Sequence, residues 1–312
     1  EPTQILTDML ARLSHLDLTG RVAKIGSHGK SGGSYSDIFQ GRIRQGFHPK
    51  GKLVAIREMR AHIFPVAELQ KVNMSMPGVV TSPTHCCTFQ SIALELRIWS
   101  DLDHPNILPL LGFSLQFGPY PTFVTEWMSN GTVLDYMKAN TEASALQLSI
   151  GIAAGLKYLH EKEIVHADVK SSNVLVSSAG VPLLIDFGLS RLLVISQVIM
   201  STRDAGGTFR WMAYELCGGI PQEHWRESIR PVTTKETDVW AYGMTVSELL
   251  TKSYPYSHLK TDYHVFNAIS KGVLPDKPAT LKSMEEVSLW ERICNSCWQR
   301  TPSHRPTMSD LL

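Results

Sequence analysis

The sequence predicts an α+β protein in two lobes, strand-rich over its first ~125 residues and helical over the remainder. Three observations carry this. Short β-like runs, Arg21–Ile25, Ser36–Arg44 and Leu53–Met59, are separated by turns rich in Gly, Ser and Pro. A helix then places Ile92, Glu95, Trp99 and Leu102 on one face, and two more strands are expected between Ile107 and Glu126. From Gly131 onward the apolar spacing is helical. Leu146, Ile150, Ala153, Ala154 and Leu159 recur within Ala143–Leu159, and Val239–Leu250 is so nearly apolar that it predicts a helix buried on all sides. The cleft between the lobes is the default ligand site.

The other segments follow in order. Residues 1–20 predict a short amphipathic helical extension with Ile5, Met9, Leu10 and Leu13 on one side. Residues 61–90, with prolines and paired cysteines and no clear period, predict an inserted loop. Two short strand pairs are expected to bracket a loop at 164–187. An irregular segment follows at 188–215, then an insertion-like stretch at 216–233. No repeat is visible.

The chain has 312 residues, 43% hydrophobic and 19% charged, with net charge +1. That is a globular composition with material for a sizeable core. The missing basic excess argues against a nucleic-acid partner and a membrane surface. No apolar run approaches the ~20 residues of a membrane span; Leu192–Met200 is broken by Ser196 and Gln197. Of five cysteines, Cys294 and Cys297 have the spacing of half a zinc site, without a matching second pair, so a buried helix face is expected. No leader peptide is visible. The chain begins at Glu1 rather than Met, and Leu312 falls inside its expected last helix, as in a piece of a longer protein. The expected compartment is intracellular and cytoplasmic.

The chemistry concentrates in His166-Ala167-Asp168-Val169-Lys170-Ser171-Ser172-Asn173 and, thirteen residues later, Asp186-Phe187-Gly188. Phosphoryl transfer from ATP asks little covalent chemistry of a protein. It needs a carboxylate that orients the attacking hydroxyl, and magnesium held against the phosphates. Asp168 suits the first part. Asn173 and Asp186 supply hard oxygens for magnesium. Lys170 places positive charge near the transferred group. Alone, Asp-Phe-Gly is more often a turn than a metal site; together and in this order the motifs are specific.

At this point the sequence resembles the protein kinase superfamily over about residues 20–312, nearly the whole chain. Glu95, nine residues before His104, matches the glutamate of the family's N-lobe helix. Val124-Thr125-Glu126-Trp127-Met128 resembles the segment joining the lobes, with Thr125 as gatekeeper and the backbone of Glu126 and Met128 toward adenine. Gly207–Glu215 resembles the end of an activation segment, and Asp238–Gly243 the start of the helix supporting the catalytic loop. Arg305 matches the arginine that pairs with Glu215. Arg210-Trp211-Met212 and Cys297-Trp298 look most like the tyrosine-kinase-like group, and Gly32–Ile38 resembles versions in fungal proteomes. The resemblance implies a bilobal kinase fold over 21–312, with N-lobe 21–125, hinge 126–131 and C-lobe 132–312. It implies ATP and Mg²⁺ as cofactors, with Gly32, Gly33, Ser34, Ile38, Ala55, Arg57, Glu95, Thr125, Glu126, Met128 and Leu175 around the nucleotide. It also implies protein substrates and leaves room for regulatory protein partners.

Three departures stand out. Arg57 occupies the lysine position of Leu53-Val54-Ala55-Ile56-Arg57, and the wider guanidinium is expected to pair with Glu95, bidentately, while holding phosphates less well. Nothing in the sequence aims Lys52 or Lys30 at the site instead. The glycine-rich loop has Ser36 at its third glycine. Ala167 stands where many kinases carry an arginine that reads a phosphorylated activation loop, so phosphorylation at Ser196, Ser201 or Thr202 is not expected to be the switch. Tyr214 in place of a proline is expected to matter structurally only. The reading is a Ser/Thr-type protein kinase, on Lys170 and Thr208. The alternatives are a pseudokinase scaffold, on Arg57, and a small-molecule phosphotransferase.

Overall fold

The computed structural model describes residues 2–26, 29–31, 36–44, 51–59, 83–118, 120–186, 208–217, 233–279, 281 and 283–312. The chain divides into two compact units, Glu1–Asp103 with Leu108–Met128, and His104–Ile107 with Ser129–Leu312.

The first unit opens with α1 (Pro2–Arg12) and a 3₁₀ turn at Ser14–Leu16. Its sheet is built from β1 (Val22–Lys24), β2 (Lys30–Ser31), β3 (Ser36–Ile43), β4 (Lys52–Met59), β5 (Leu110–Ser114) and β6 (Thr122–Glu126). The order is β1-β3-β4-β6-β5 with β2 on β3, antiparallel throughout. The three predicted early strands lie where the alternation put them. Val54 and Ile56 of β4 turn inward with Leu18, Val22, Ile43 and Val124 to form the core. Period 2 then puts Ala55 and Arg57 together on the other face.

The helix α2 (Pro83–Ser100) packs on α1 and touches β5. Its predicted face is found, with Ile92, Glu95, Trp99 and nearby Leu102 all buried. Two expectations are corrected. Residues 83–90, read as loop, begin this helix. Proline suits a first helical position, and tertiary packing of the later turns overrides the weak helix preference of Thr84, His85, Cys86 and Cys87. In α1 it is Leu6 that is buried while Ile5 is half exposed, so the inward face is turned by one residue. The remainder of the expected insert, 61–82, lies outside the described residues, as do the tract Leu192–Met200, the serines and threonine at 196, 201 and 202, and 218–232.

The second unit contains α3 (Val133–Ala139), α4 (Ala145–Glu161), β7 (Val174–Val176), β8 (Pro182–Leu184), α5 (Lys235–Thr251), α6 (Asp262–Ser270) and α7 (Met284–Ser288), which runs into a π turn at Leu289–Cys294. Caps set the starts. Thr132 accepts the Asp135 N–H at 3.2 Å and Ser144 the Gln147 N–H at 3.2 Å, each satisfying an orphan donor. In α4 the inward residues are Leu148, Ile152, Ala153, Leu156 and Leu159, while predicted Ile150 is exposed. Of the two strand pairs expected around 164–187, the described residues show one, the antiparallel pair of β7 with β8. The helix α5 is buried at every position from Thr237 to Leu249, as its composition predicts. Cys294 and Cys297 are buried, with Cys294 Sγ 3.6 Å from Gly243 O. No helix is assigned after Pro302–His304 among the described residues, in place of the expected last helix, and Thr307–Asp310 form a hydrogen-bonded turn. Among the described residues no helix is long and apolar enough to cross a membrane.

Candidate active site

Asp238, in the first turn of α5, anchors the loop that carries Asp168. Its carboxylate accepts the backbone N–H groups of His166 and Ala167, each at 2.8 Å, and lies 2.8 Å from His160 Nε2. The helix N-terminus favours a carboxylate there. These bonds hold Ala167 at φ +66°, a left-handed conformation that costs a non-glycine residue about 1 kcal/mol. Burial pushes the His166 imidazole below its ordinary value, so the ring is neutral and its Nδ1 accepts the Asp168 N–H at 3.3 Å.

Asp168 follows directly. Its Oδ2 takes Lys170 Nζ at 2.8 Å and Asn173 Nδ2 at 2.8 Å, while its buried Oδ1 has no hydrogen-bond partner among the described residues. Asn173 Nδ2 also donates to the Asp168 carbonyl at 2.9 Å. Both hydrogens of that amide are therefore committed, leaving its oxygen as a hard donor. The Ile185 N–H donates to Asn173 O at 3.0 Å, which sets Asp186 beside this loop, with Asp186 itself at φ +62°. Phe187 and Gly188 lie outside the described residues. The structure thus brings Asp168, Lys170 and Asn173 into one network and puts Asp186 at the end of the strand paired with β7.

A carboxylate that the sequence did not single out supports this loop from below. Glu248 of α5 is fully buried and accepts the Ser171 N–H at 3.0 Å, the Ser171 hydroxyl at 2.5 Å and the Trp211 Nε1–H at 2.6 Å. Burial pushes its carboxyl up to about 7, against the pull of those donors and of Lys170. The available signal was a lone acid in a helix read as buried on all sides, since buried charge requires partners.

The first unit holds the other predicted residues. Arg57 Nη2 pairs with Glu95 Oε1, and both side chains are buried. The pairing uses one carboxylate oxygen, not the expected two. Glu95 Oε2 has no hydrogen-bond partner among the described residues. Lys52 is bonded at the surface to Glu126 Oε2 at 2.8 Å. Ile38 lies opposite Arg57 in the β3–β4 register, and Ala55 opposite buried Thr125. Glu126 is exposed at the end of β6, and Met128 is half-buried just beyond it. In the second unit Leu175 is half-buried on β7, bridged to Thr132. Gly32, Gly33 and Ser34 lie outside the described residues.

A six-stranded antiparallel sheet with a buried Arg–Glu pair, followed by a helical unit whose loop presents Asp168, Lys170 and Asn173, defines the class as a protein kinase. The chain belongs to the protein tyrosine and serine/threonine kinase family, whose profile matches residues 78–312. It is 28% identical over 284 residues to the serine/threonine-protein kinase STY17 of Arabidopsis thaliana, covering 90% of this chain and 42% of that protein. It is 31% identical over 221 residues to mitogen-activated protein kinase kinase kinase 5 of the same plant, covering 70% and 29%. Tyrosine protein-kinase src-1 of Caenorhabditis elegans is 30% identical over 230 residues, covering 70% and 39%. The chain therefore spans less than half the length of each of these relatives. The matches bear out the kinase superfamily and its tyrosine-kinase-like group.

Proposed function

We propose that this chain transfers the γ-phosphate of ATP to serine and threonine hydroxyls of protein substrates. The observation that carries the reading is Asp168. One oxygen is tethered to Lys170 and Asn173, and the other, buried, carries no bond from the described residues. An acceptor hydroxyl that donates to Oδ1 is aligned and partly deprotonated as it attacks. Lys170, 2.8 Å from Oδ2, fixes the carboxylate and adds positive charge where the transferred group develops negative charge.

The residues fit magnesium. Asn173 offers an oxygen whose amide partner is fully engaged, and Asp186 offers a carboxylate. Among the described residues no group of three or more His, Cys, Asp and Glu could hold a metal unaided. A two-oxygen set suits an ion that arrives with phosphates. When bound, magnesium would neutralise phosphate charge. Glu95 orients Arg57, and Arg57 with Gly32, Gly33 and Ser34 is assigned to the phosphates. Serine/threonine preference draws on Lys170 and on relatives named serine/threonine-protein kinases. A reaction that consumes ATP and a protein hydroxyl fits an intracellular site.

The test is label transfer from γ-labelled ATP with magnesium to a generic basic protein, beside Asp168→Asn. Transfer above that control is expected, and the variant should lose at least about 10²-fold, within the range positioned acid–base groups supply. Equal label in both would end the proposal and leave a pseudokinase acting as a scaffold or allosteric partner.

A further inference from the structure

Arg57 is the chain's sharpest departure from the family pattern, and its surroundings fit an arginine. Its Cζ lies 5.0 Å from the centroid of the Phe123 ring and 5.5 Å from that of Trp99. The two rings meet edge to face, 5.8 Å apart at 76°. Trp99 is fixed by its Nε1–H, which donates to Leu108 O at 2.6 Å, and Phe123 sits opposite Arg57 in the β4–β6 register. Phe123 is 0% exposed, Trp99 3% and Glu95 1%. Glu95 and Trp99 are one helical turn apart on α2, so one helix supplies both the anion and a wall. The cation comes from β4 and the second wall from β6.

A guanidinium is planar, delocalised and weakly hydrated, and it stacks on aromatic faces while bonding a carboxylate in its plane. An ammonium is a compact, strongly hydrated charge. Buried in the same place it would reach Glu95 but lose the guanidinium's contact with the two rings, without water in exchange. We propose that Trp99 and Phe123 are positioning residues, an aromatic clamp that makes arginine rather than lysine the working cation at position 57 and ties α2 to β4 through Glu95. Arginine here is then part of a matched set, and restoring the family's lysine weakens the site. The kinetic part rests on the phosphotransfer reading; the packing part does not.

The test compares Arg57→Lys, Trp99→Phe, Trp99→Leu and the combined Arg57→Lys/Trp99→Leu with the parent. Each is assayed for its thermal midpoint and for kcat and KM with ATP, with Asp168→Asn as blank. Arg57→Lys should lower the midpoint by several degrees and kcat/KM about tenfold, mainly through KM. Trp99→Phe should stay near the parent because a ring remains. Trp99→Leu should fall like Arg57→Lys, and the combination no further than either alone, since arginine's advantage disappears with the ring. The clamp is overturned if Arg57→Lys matches or exceeds the parent in both readouts, or if the two losses simply add. If the parent transfers no phosphate above the blank, the phosphotransfer reading fails, and the thermal midpoints alone decide the clamp by the same outcomes. Should Trp99→Leu fail to fold, Phe123→Leu takes its place.

Discussion

Glu248 shows how one side chain couples the core to the catalytic loop. Its carboxyl has an ordinary value of 4.5 and sits at about 7 in the fold, with burial the main cause. Below pH 4.5 it is protonated folded or unfolded. Between these values only the folded chain holds the proton, so stability falls as pH rises through the window, and the penalty is complete above about 7. A shift of that size corresponds to on the order of 3 kcal/mol. Glu248→Gln removes the charge and keeps the bonds. The amide oxygen can accept from Ser171 N–H and Trp211 Nε1–H as Oε2 does, and the NH₂ can donate to the Ser171 hydroxyl, which turns to accept. The variant should be at least as stable as the parent at pH 8, and its stability should change less between pH 5 and pH 8. Denaturant titrations at both pH values decide this; an unchanged pH slope would remove Glu248 as its source. Glu248→Leu should lose roughly 2–5 kcal/mol at either pH, because two buried N–H donors are stranded. The candidate catalytic residues Asp168, Lys170, Asn173 and Asp186 could be proposed from the sequence because phosphoryl transfer constrains both residue types and spacing. Glu248 and the Arg57 clamp could not, since their partners lie far away along the chain.

The secondary structure was legible wherever one periodicity dominated. β3 and β4 alternate cleanly, and α5 is apolar all round. Faces were harder to read in α1 and α4, where apolar residues occupy more than one side and only packing decides which turn inward. Gly155 in α4 shows such a contact. A Cβ there would lie 2.8 Å from Leu184 Cδ1 and 2.9 Å from Asn106 O. The carbonyl is not free to retreat. It accepts the Leu184 N–H at 2.9 Å, and Asn106 Nδ2 donates to Pro182 O at 2.9 Å. In an open helix, Gly→Ala would gain about 1 kcal/mol from propensity. Here overpacking against β8, of about 1–3 kcal/mol, should win. Gly155→Ala is therefore expected to lower the thermal midpoint, and a raised midpoint would mean that α4 and β8 separate easily. Because β8 leads into Ile185 and Asp186, activity should fall with it.

For the whole chain, the sequence announced a strand-rich part before a helical part, and the two compact units repeat that division. Beyond Arg57 with Glu95 and Arg305 with Glu215, it did not announce which of its 30 Lys and Arg meets which of its 29 Asp and Glu. Arg305 and Glu215 were paired from the family resemblance alone. The structure explains what that pair joins. Arg305 Nη1 and Nη2 bond Glu215 Oε1 and Oε2 at 2.8 and 2.6 Å, Nη1 also reaches Glu236 O at 2.8 Å, and Nε reaches Gln299 O at 2.9 Å. The guanidinium lies 5.0 Å from the Trp240 ring, and its side chain is 0% exposed. Three distant stretches, around 215, 236 and 299, thus converge on one planar cation.

Lysine cannot reproduce that fork. Arg305→Met should cost about 2–4 kcal/mol, because it leaves Glu215, only 16% exposed, without its counter-charge and the carbonyls of Glu236 and Gln299 without their donor. Adding Glu215→Leu removes the stranded charge and should recover much of the loss. Recovery should stop short of the parent, because the carbonyls of Glu236 and Gln299 still lack their donor. Urea unfolding midpoints of the parent, Arg305→Met and the double variant separate these contributions. A loss under about 1 kcal/mol in the single variant would class the pair with surface ion pairs. Full recovery in the double variant would mean that the two carbonyl bonds contribute nothing to holding the C-terminal stretch in place.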